Sequence, residues 1–306
     1  MKKRPPKNVS ASVKARLLNM ARERQEEFNL LLVRYGIERL LYRLSKSQHA
    51  DSFVLKGAIL FHLWAEAPHR PTRDVDLMSR GSPDVARMEG IFRQIVKTKV
   101  KDDGLTFDRS TVRAERIRED QEYEGIRVQL ETHLGTARIR LQVDIGFGDA
   151  ITPRPRKREV PCILDSEAPR LSVYPWETVV AEKYQALVEL GMTNSRMKDF
   201  FDLRYMAREF EFNGARLSKA IRATFERRKT DLPDTRPLGL SAKFTEDSVV
   251  RKRWLAFLRR SRLEELDLEL SSVSNEIWTF LQPVTKALST GQAFNMNWKR
   301  RGPWTA

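Results

Sequence analysis

Two rhythms of apolar and polar positions run along the chain. Over residues 12–46, Leu17, Leu18, Phe28, Leu31, Leu32, Ile37, Leu40, Leu41 and Leu44 recur at three- and four-residue spacings. That period predicts helix, with Gly36 as a point of interruption. Over residues 126–134 the period is two: Ile126, Val128, Leu130, Thr132 and Leu134 alternate with Arg127, Gln129, Glu131 and His133. The same alternation returns over 138–145, where Ile139, Leu141, Val143 and Ile145 share one face. Gly135-Thr136 is a tight turn between the two, so an antiparallel hairpin with one apolar face is expected.

Shorter signals fill in the first half. Ser52-Phe53-Val54-Leu55 reads as extended and Gly57 ends it, with a helix-like stretch following through Trp64. Pro68 and Pro71 punctuate the chain before the short strand Asp74–Leu77, and residues 83–100 read as helix. The Pro- and Arg-rich stretch 152–158 reads as a loop and a domain boundary. Beyond Pro175 the pattern is helical almost to the end, apart from a long loop at 230–242. The expected architecture is α+β: a mixed first half over residues 1–165, then a helical domain over 166–306.

Composition adds a partner class. The 306 residues carry 56 Lys and Arg against 41 Asp and Glu, a formal net charge of +15. Apolar residues make up 41% and charged residues 32%, which is too apolar for a disordered polyelectrolyte. The single cysteine, Cys162, excludes an intramolecular disulfide and suits a reducing cytosol. No apolar run approaches the roughly 18 residues of a membrane span, and the basic stretch at residues 1–7 lacks the apolar segment of a signal peptide. A cytoplasmic protein with no membrane partner is therefore expected. Its charge suits a polyanion, with basic clusters at Arg154, Arg156, Lys157 and Arg158, at Arg227–Lys229, at Arg251–Arg253 and at Lys299–Arg301. Taken singly, each cluster is explained as a solvated surface.

The carboxylates sharpen this. Asp74 and Asp76 lie two apart in a strand, which places both on one face while Val75 and Leu77 point inward. Asp144 repeats the arrangement between Val143 and Ile145. Three carboxylates on one sheet face would form an oxygen-rich site suited to Mg²⁺. A strand end, or a pairing with Arg73, explains each of them taken alone. Lys56-Gly57-Ala58, at a strand-to-helix turn, offers free backbone N–H groups to a phosphate. An ordinary turn has the same sequence.

Two helical segments carry inward-facing charges. On the helix after Pro175, Lys183 falls in the middle of the apolar stripe made by Trp176, Val179, Val180, Ala186, Leu187 and Leu190. On the next helix, Asp199 lies at the centre of the face made by Leu203, Met206, Ala207 and Phe210, with Asp202 at its edge. A structural Lys183–Asp199 ion pair would satisfy both; a polar ligand held between such charges is the alternative.

These segments together resemble a known family. Phe53–Ala58 with Arg70–Leu77 is similar to the opening motif of the AbiEii/AbiGii nucleotidyltransferase toxins, which include the MenT toxins. The resemblance continues through Val143–Asp149, Tyr174–Glu177 with Ala181–Tyr184, Ser195–Leu203, and Ile277–Val284. It implies a DNA polymerase β-like nucleotidyltransferase core with an α-helical C-terminal domain that contributes to the active site. It also implies a bacterial toxin with a cognate antitoxin, linked to phage defence, that uses NTP and Mg²⁺ and adds nucleotides to the 3′ acceptor end of tRNA to block translation.

By matching position, the resemblance gives Gly57 and Ala58 to the phosphates; Lys56 and Arg73, beside them in the sequence motifs, would offset the triphosphate charge. It gives Asp74, Asp76 and Asp144 to the metals, Lys183 to the NTP, and Asp199 and Asp202 to the last motif's acidic positions. Related proteins usually have Gly-Ser where this chain has Gly57-Ala58, so a hydroxyl contact to phosphate is lost here. Thr72 stands where some relatives carry a serine that an antitoxin phosphorylates. Two other readings remain at this stage: an enzyme of the same fold acting on a small hydroxylated molecule or a protein, and a non-catalytic basic RNA-binding protein.

Overall fold

The computed structural model describes residues 8–64, 70–118, 124–264 and 268–306. The basic stretch 1–7 and Pro68 lie outside the described residues. The chain forms two compact units: Met1–Gly148 with Arg156–Val173, and Asp149–Pro155 with Tyr174–Ala306.

The first unit opens with α1 (Val9–Glu23) and α2 (Phe28–Lys46). The single helical rhythm is broken at residues 24–27, where Gln25 takes a positive φ of 53°. Gly36 does not interrupt α2. A Cβ there would lie 2.9 Å from Leu141 Cδ2, so the glycine lets the helix press closely on the sheet. After α2 come β1 (Phe53–Lys56), the one-turn α3 (Phe61–Trp64), β2 (Val75–Ser79) and α4 (Val85–Ile95). Three long strands follow: β3 (Leu105–Arg118), β4 (Glu124–Leu134) and β5 (Ala137–Phe147). The short β6 (Arg156–Glu159) and β7 (Arg170–Val173) complete the sheet.

The sheet has seven strands in the order β3-β4-β5-β2-β1-β7-β6. It is mixed, because β2 runs parallel to β5 and β1 parallel to β7 while the other neighbours are antiparallel. The expected hairpin is present: Leu134 faces Ala137 across the two-residue turn, with Gly135 at φ 59°. Ile126, Val128, Val143 and Ile145 are all fully buried, so their alternating polar partners line the opposite face. The stretch expected to be a loop at 152–158 instead ends in β6, whose four residues are all exposed at a sheet edge. A row of Arg, Lys, Arg and Glu is a common way to keep an edge strand from pairing with another chain.

Two buried charges show how the core of this unit accommodates them. Arg43 donates to Asp103 through both terminal nitrogens, at 2.6 and 3.1 Å. Glu38, 2% exposed, accepts the Ile163 N–H at 3.0 Å and pairs with Arg34 at 3.2 Å. Burial outweighs those contacts and pushes the Glu38 carboxyl up to about 7.

The second unit is built on α5 (Trp176–Leu190), α6 (Met197–Glu209), α7 (Gly214–Arg227), α8 (Ala242–Thr245), α9 (Ser248–Ser261) and α10 (Leu270–Ser289). Pro175 precedes the first helical residue of α5, and Gly191 closes that helix with φ 44°. Asn213 caps α7 and Asp247 caps α9 through side-chain oxygens that accept backbone N–H bonds. A three-stranded ribbon joins them: β8 (Phe212–Asn213, before α7), β9 (Asn297–Trp298) and β10 (Trp304–Thr305). Phe280 of α10 anchors it, with ring centroids 4.9 Å from both Phe212 and Trp298. Trp176 leaves the apolar stripe expected of it: 37% exposed, it stacks on Phe210 at 5.7 Å. No described helix is long and apolar enough to cross a membrane.

Candidate active site

Strand order assembles a row of charges that no single segment contains. Glu115 of β3 is the register partner of Arg127 on β4, which is the partner of Asp144 on β5. Asp144 is the partner of Asp76 on β2, which is in turn the partner of Lys56 on β1. Register partners share a sheet face, so five strands present acid, base, acid, acid and base side by side. Asp76 and Asp144, 68 positions apart in the chain, become neighbours at about one strand spacing of 4.8 Å.

Asp74 sits one residue ahead of β2 rather than within it. It is held by Thr72, whose hydroxyl donates to Asp74 Oδ1 at 2.8 Å. Arg73 turns elsewhere and pairs with Glu27 at 2.8 Å on the surface. Lys56 is buried, and Asp76 is half-buried.

Gly57 is the closest-fitted position of the site. Its φ of 78° favours glycine, and a Cβ there would fall 1.8 Å from Asp76 Oδ2. The strand-end backbone and the Asp76 carboxylate therefore occupy adjoining space that a side chain would fill. Ala58 opens a 3₁₀ turn, Ala58–Leu60, that leads into α3. Among the described residues this is a short helical stretch, so its dipole adds little to what the Gly57-Ala58 backbone offers an anion.

Asp144 is the most enclosed of the three carboxylates, and both of its oxygens are engaged. Arg127 donates from Nε to Oδ1 and from Nη2 to Oδ2, both at 2.8 Å, and Gln142 adds a bond of 3.2 Å to Oδ2. The hydrogen bonds to Asp144 and the charges of Asp144, Glu115 and Asp74 raise the Arg127 pKa above its ordinary value. Among the described residues no three His, Cys, Asp or Glu side chains converge tightly enough to hold a metal ion.

Arg127 was absent from the candidates read from the sequence, yet its signal was there. A two-residue turn at Gly135-Thr136 fixes the register of the whole hairpin, and that register puts Arg127 opposite Asp144.

The second unit holds the other charged group. Lys183 of α5 pairs with Asp199 and, at 2.9 Å, with Asp202, both on α6. Arg196 reaches Asp199 Oδ2 at 2.8 Å. The two carboxylates are fully enclosed. Burial alone would raise the Asp199 carboxyl, but Lys183 and Arg196 outweigh it and hold it below the usual carboxylate range. The Lys183–Asp199 ion pair, one of the two arrangements these helices suggested, is present, joined by Asp202 and by Arg196, which the sequence did not single out.

The basic candidates divide in the same way. Arg154 belongs to the second unit, whereas Arg156, Lys157 and Arg158 form most of β6 in the first. Lys157 pairs with Asp51 at 2.8 Å across exposed surface.

Comparison with known proteins assigns the family. The model of a family described as the nucleotidyl transferase AbiEii toxin of a type IV toxin–antitoxin system matches residues 39–283. No curated protein matches the chain at a significant level. Two solved structures from Helicobacter pylori are similar at 16% identity and a TM-score of 0.45 each. One, assigned as a nucleotidyltransferase, is matched over 84% of this chain and 95% of its own. The other, JHP933, is matched over 83% of this chain and 90% of its own. With four-fifths of its length matched by the family model, the chain belongs to the AbiEii family of nucleotidyltransferase toxins of type IV toxin–antitoxin systems.

Proposed function

We propose that this nucleotidyltransferase transfers NMP from an NTP to the 3′ acceptor end of tRNA in a Mg²⁺-dependent reaction, and that the transfer blocks translation. The observation that carries the proposal is the placement of Asp76 beside Asp144, with Asp74 just ahead and the Gly57 backbone against the Asp76 carboxylate.

The donors suit the ion. Aspartate oxygens are the hard ligands that Mg²⁺ prefers, and the space a Cβ would fill at Gly57 keeps the Asp76 carboxylate at the strand end. Asp74 and Asp76 would hold the cation, with Asp144 joining once its oxygens are released. Bound there, Mg²⁺ would supply charge neutralisation for the attacking and leaving oxygens. The RNA 3′-hydroxyl attacks the α-phosphorus of the NTP, the bond to the β-phosphate oxygen breaks, and pyrophosphate leaves. The hydroxyl proton passes to a carboxylate, a place that suits Asp144. Lys56 and the Gly57-Ala58 backbone N–H groups would balance the triphosphate. Lys183 would bind the NTP as the resemblance implies, with Asp199 and Asp202 orienting it.

The +15 charge supports a polyanionic acceptor over a small cationic one. Arg154, Arg156, Lys157 and Arg158 are exposed and suited to RNA phosphates. The family implies an antitoxin partner. Its control would act at Thr72: phosphorylation there would set about two negative charges against Asp74, where the hydroxyl now donates.

Incubation with total tRNA, Mg²⁺ and each labelled NTP in turn tests this reading. Label in the tRNA band is the expected result. Binding of tRNA without transfer of label from any of the four would overturn it.

A further inference from the structure

The row of charges contains a conflict. The proposed chemistry needs the Asp144 carboxylate for a cation, yet the Arg127 guanidinium already covers both of its oxygens in a fork-on-fork geometry. We propose that Arg127 competes with the divalent cation for Asp144, so that Arg127 sets how much cation the chain requires before its third carboxylate becomes available. The proposal rests on the cation reading above and deepens it.

Several observations support the competition. The pair is positioned by the sheet itself, because Arg127 and Asp144 are register partners on adjacent strands. Neither side chain has to reach. The Arg127 side chain remains 32% exposed against 11% for Asp144, so the arginine has an open side toward solvent and the carboxylate does not. Arg127 also feels Glu115 and Asp74, which gives it other acids to favour when it leaves Asp144. Without Arg127, Asp74, Asp76 and Asp144 would stand together with Lys56 as the remaining cation of the row. Like charges so placed repel, and an added cation would relieve that repulsion.

Arg127 is on this view a positioning residue, not a catalytic one. It keeps the site quiet when cation and substrate are absent, and its guanidinium is free to meet phosphate once displaced. The competition is between two kinds of cation for one carboxylate and involves no proton.

The test is a Mn²⁺ titration of the full chain followed by electron paramagnetic resonance, with thermal unfolding recorded in parallel. Four chains are compared: wild type, Arg127→Gln, Arg127→Lys and Arg140→Gln. Arg140 lies on β5, the strand of Asp144, and pairs with Glu131 instead, so it controls for the loss of one positive charge. Arg127→Gln is expected to bind Mn²⁺ about tenfold more tightly than wild type. It should also unfold at a lower temperature without Mn²⁺ and recover the difference with it. Arg127→Lys, which keeps the charge but loses the fork, should fall between them, and Arg140→Gln should match wild type.

Equal or weaker Mn²⁺ binding in both Arg127 variants would overturn the competition, as would the same gain in Arg140→Gln. If none of the chains binds Mn²⁺, the cation reading fails and the competition with it. Tight Mn²⁺ binding in Arg127→Gln with no nucleotide transfer by wild type would leave the competition standing and count against the tRNA reaction alone.

Discussion

The two charged groups of this protein are built on opposite terms. On α5 and α6, Lys183 and Arg196 face Asp199 and Asp202, two cations for two anions, with the carboxylates fully enclosed. On the sheet, the row from Glu115 to Lys56, with Asp74 beside it, has four acids for two bases and remains partly open. A closed, balanced group is what a fold needs in order to bury charge. An open group with surplus negative charge serves no such end by itself, and it is the arrangement that a bound cation would complete.

Each difference can be put to an experiment. The largest effect is expected at Asp74. Asp74→Ala should reduce nucleotide transfer by at least about a thousandfold, since two-carboxylate sites lose their cation with either member. Its unfolding midpoint should move little, because Asp74 is only half-buried. An active or still toxic Asp74→Ala chain would remove the sheet face from the reaction. Lys183→Met should do the reverse to stability. It leaves two enclosed carboxylates short of a partner, at a cost of about 3–5 kcal/mol in denaturant unfolding. A chain that keeps its stability would show that the balance on α5 and α6 is not structural.

pH separates buried acids with and without a strong partner. Glu38 has its folded pKa raised to about 7 from 4.5, so the stability it contributes is full below about pH 4.5 and is lost as pH rises to about 7. The loss is up to about 3 kcal/mol, and Glu38→Gln should flatten that part of the curve. Asp199 has the opposite sign: its lowered pKa gives stability that is present above 3.8 and lost as pH falls below it. Unfolding curves from pH 3 to 8 for wild type and Glu38→Gln would show both limbs. The smallest effect belongs to β6. Arg156→Ser with Arg158→Ser should alter stability by no more than about 0.5 kcal/mol. Its tRNA affinity should fall, and the salt dependence of binding with it, if the edge strand touches phosphate. Unchanged tRNA binding would assign these arginines to edge protection alone.

Much of the fold could be read from the order of residues because burial there follows a clean period. The β4–β5 hairpin and the helices beyond Pro175 are such cases. β3 escaped because a register shift between Asp108 and Arg113 switches which residues face inward. Leu105 and Phe107 fall on odd positions and Val112 on an even one, and the edge location lets charged residues outnumber apolar ones. The ribbon strands β8, β9 and β10 have two residues each, too few for any rhythm. The site was half legible. Asp74, Asp76 and Asp144 are visible from alternation and motif, while their alignment with Glu115, Arg127 and Lys56 depends on strand order. Lys183 and Asp199 were visible as charges on apolar faces.

Gly57 carries a consequence for how this family member can change over time. With the Asp76 carboxylate in the space a side chain would need, position 57 is closed to variation while Asp76 is kept. Any tuning of the grip on phosphate at this turn therefore falls first to position 58. There this chain has alanine, and a substitution to serine would restore a hydroxyl without disturbing the backbone on which the carboxylate rests.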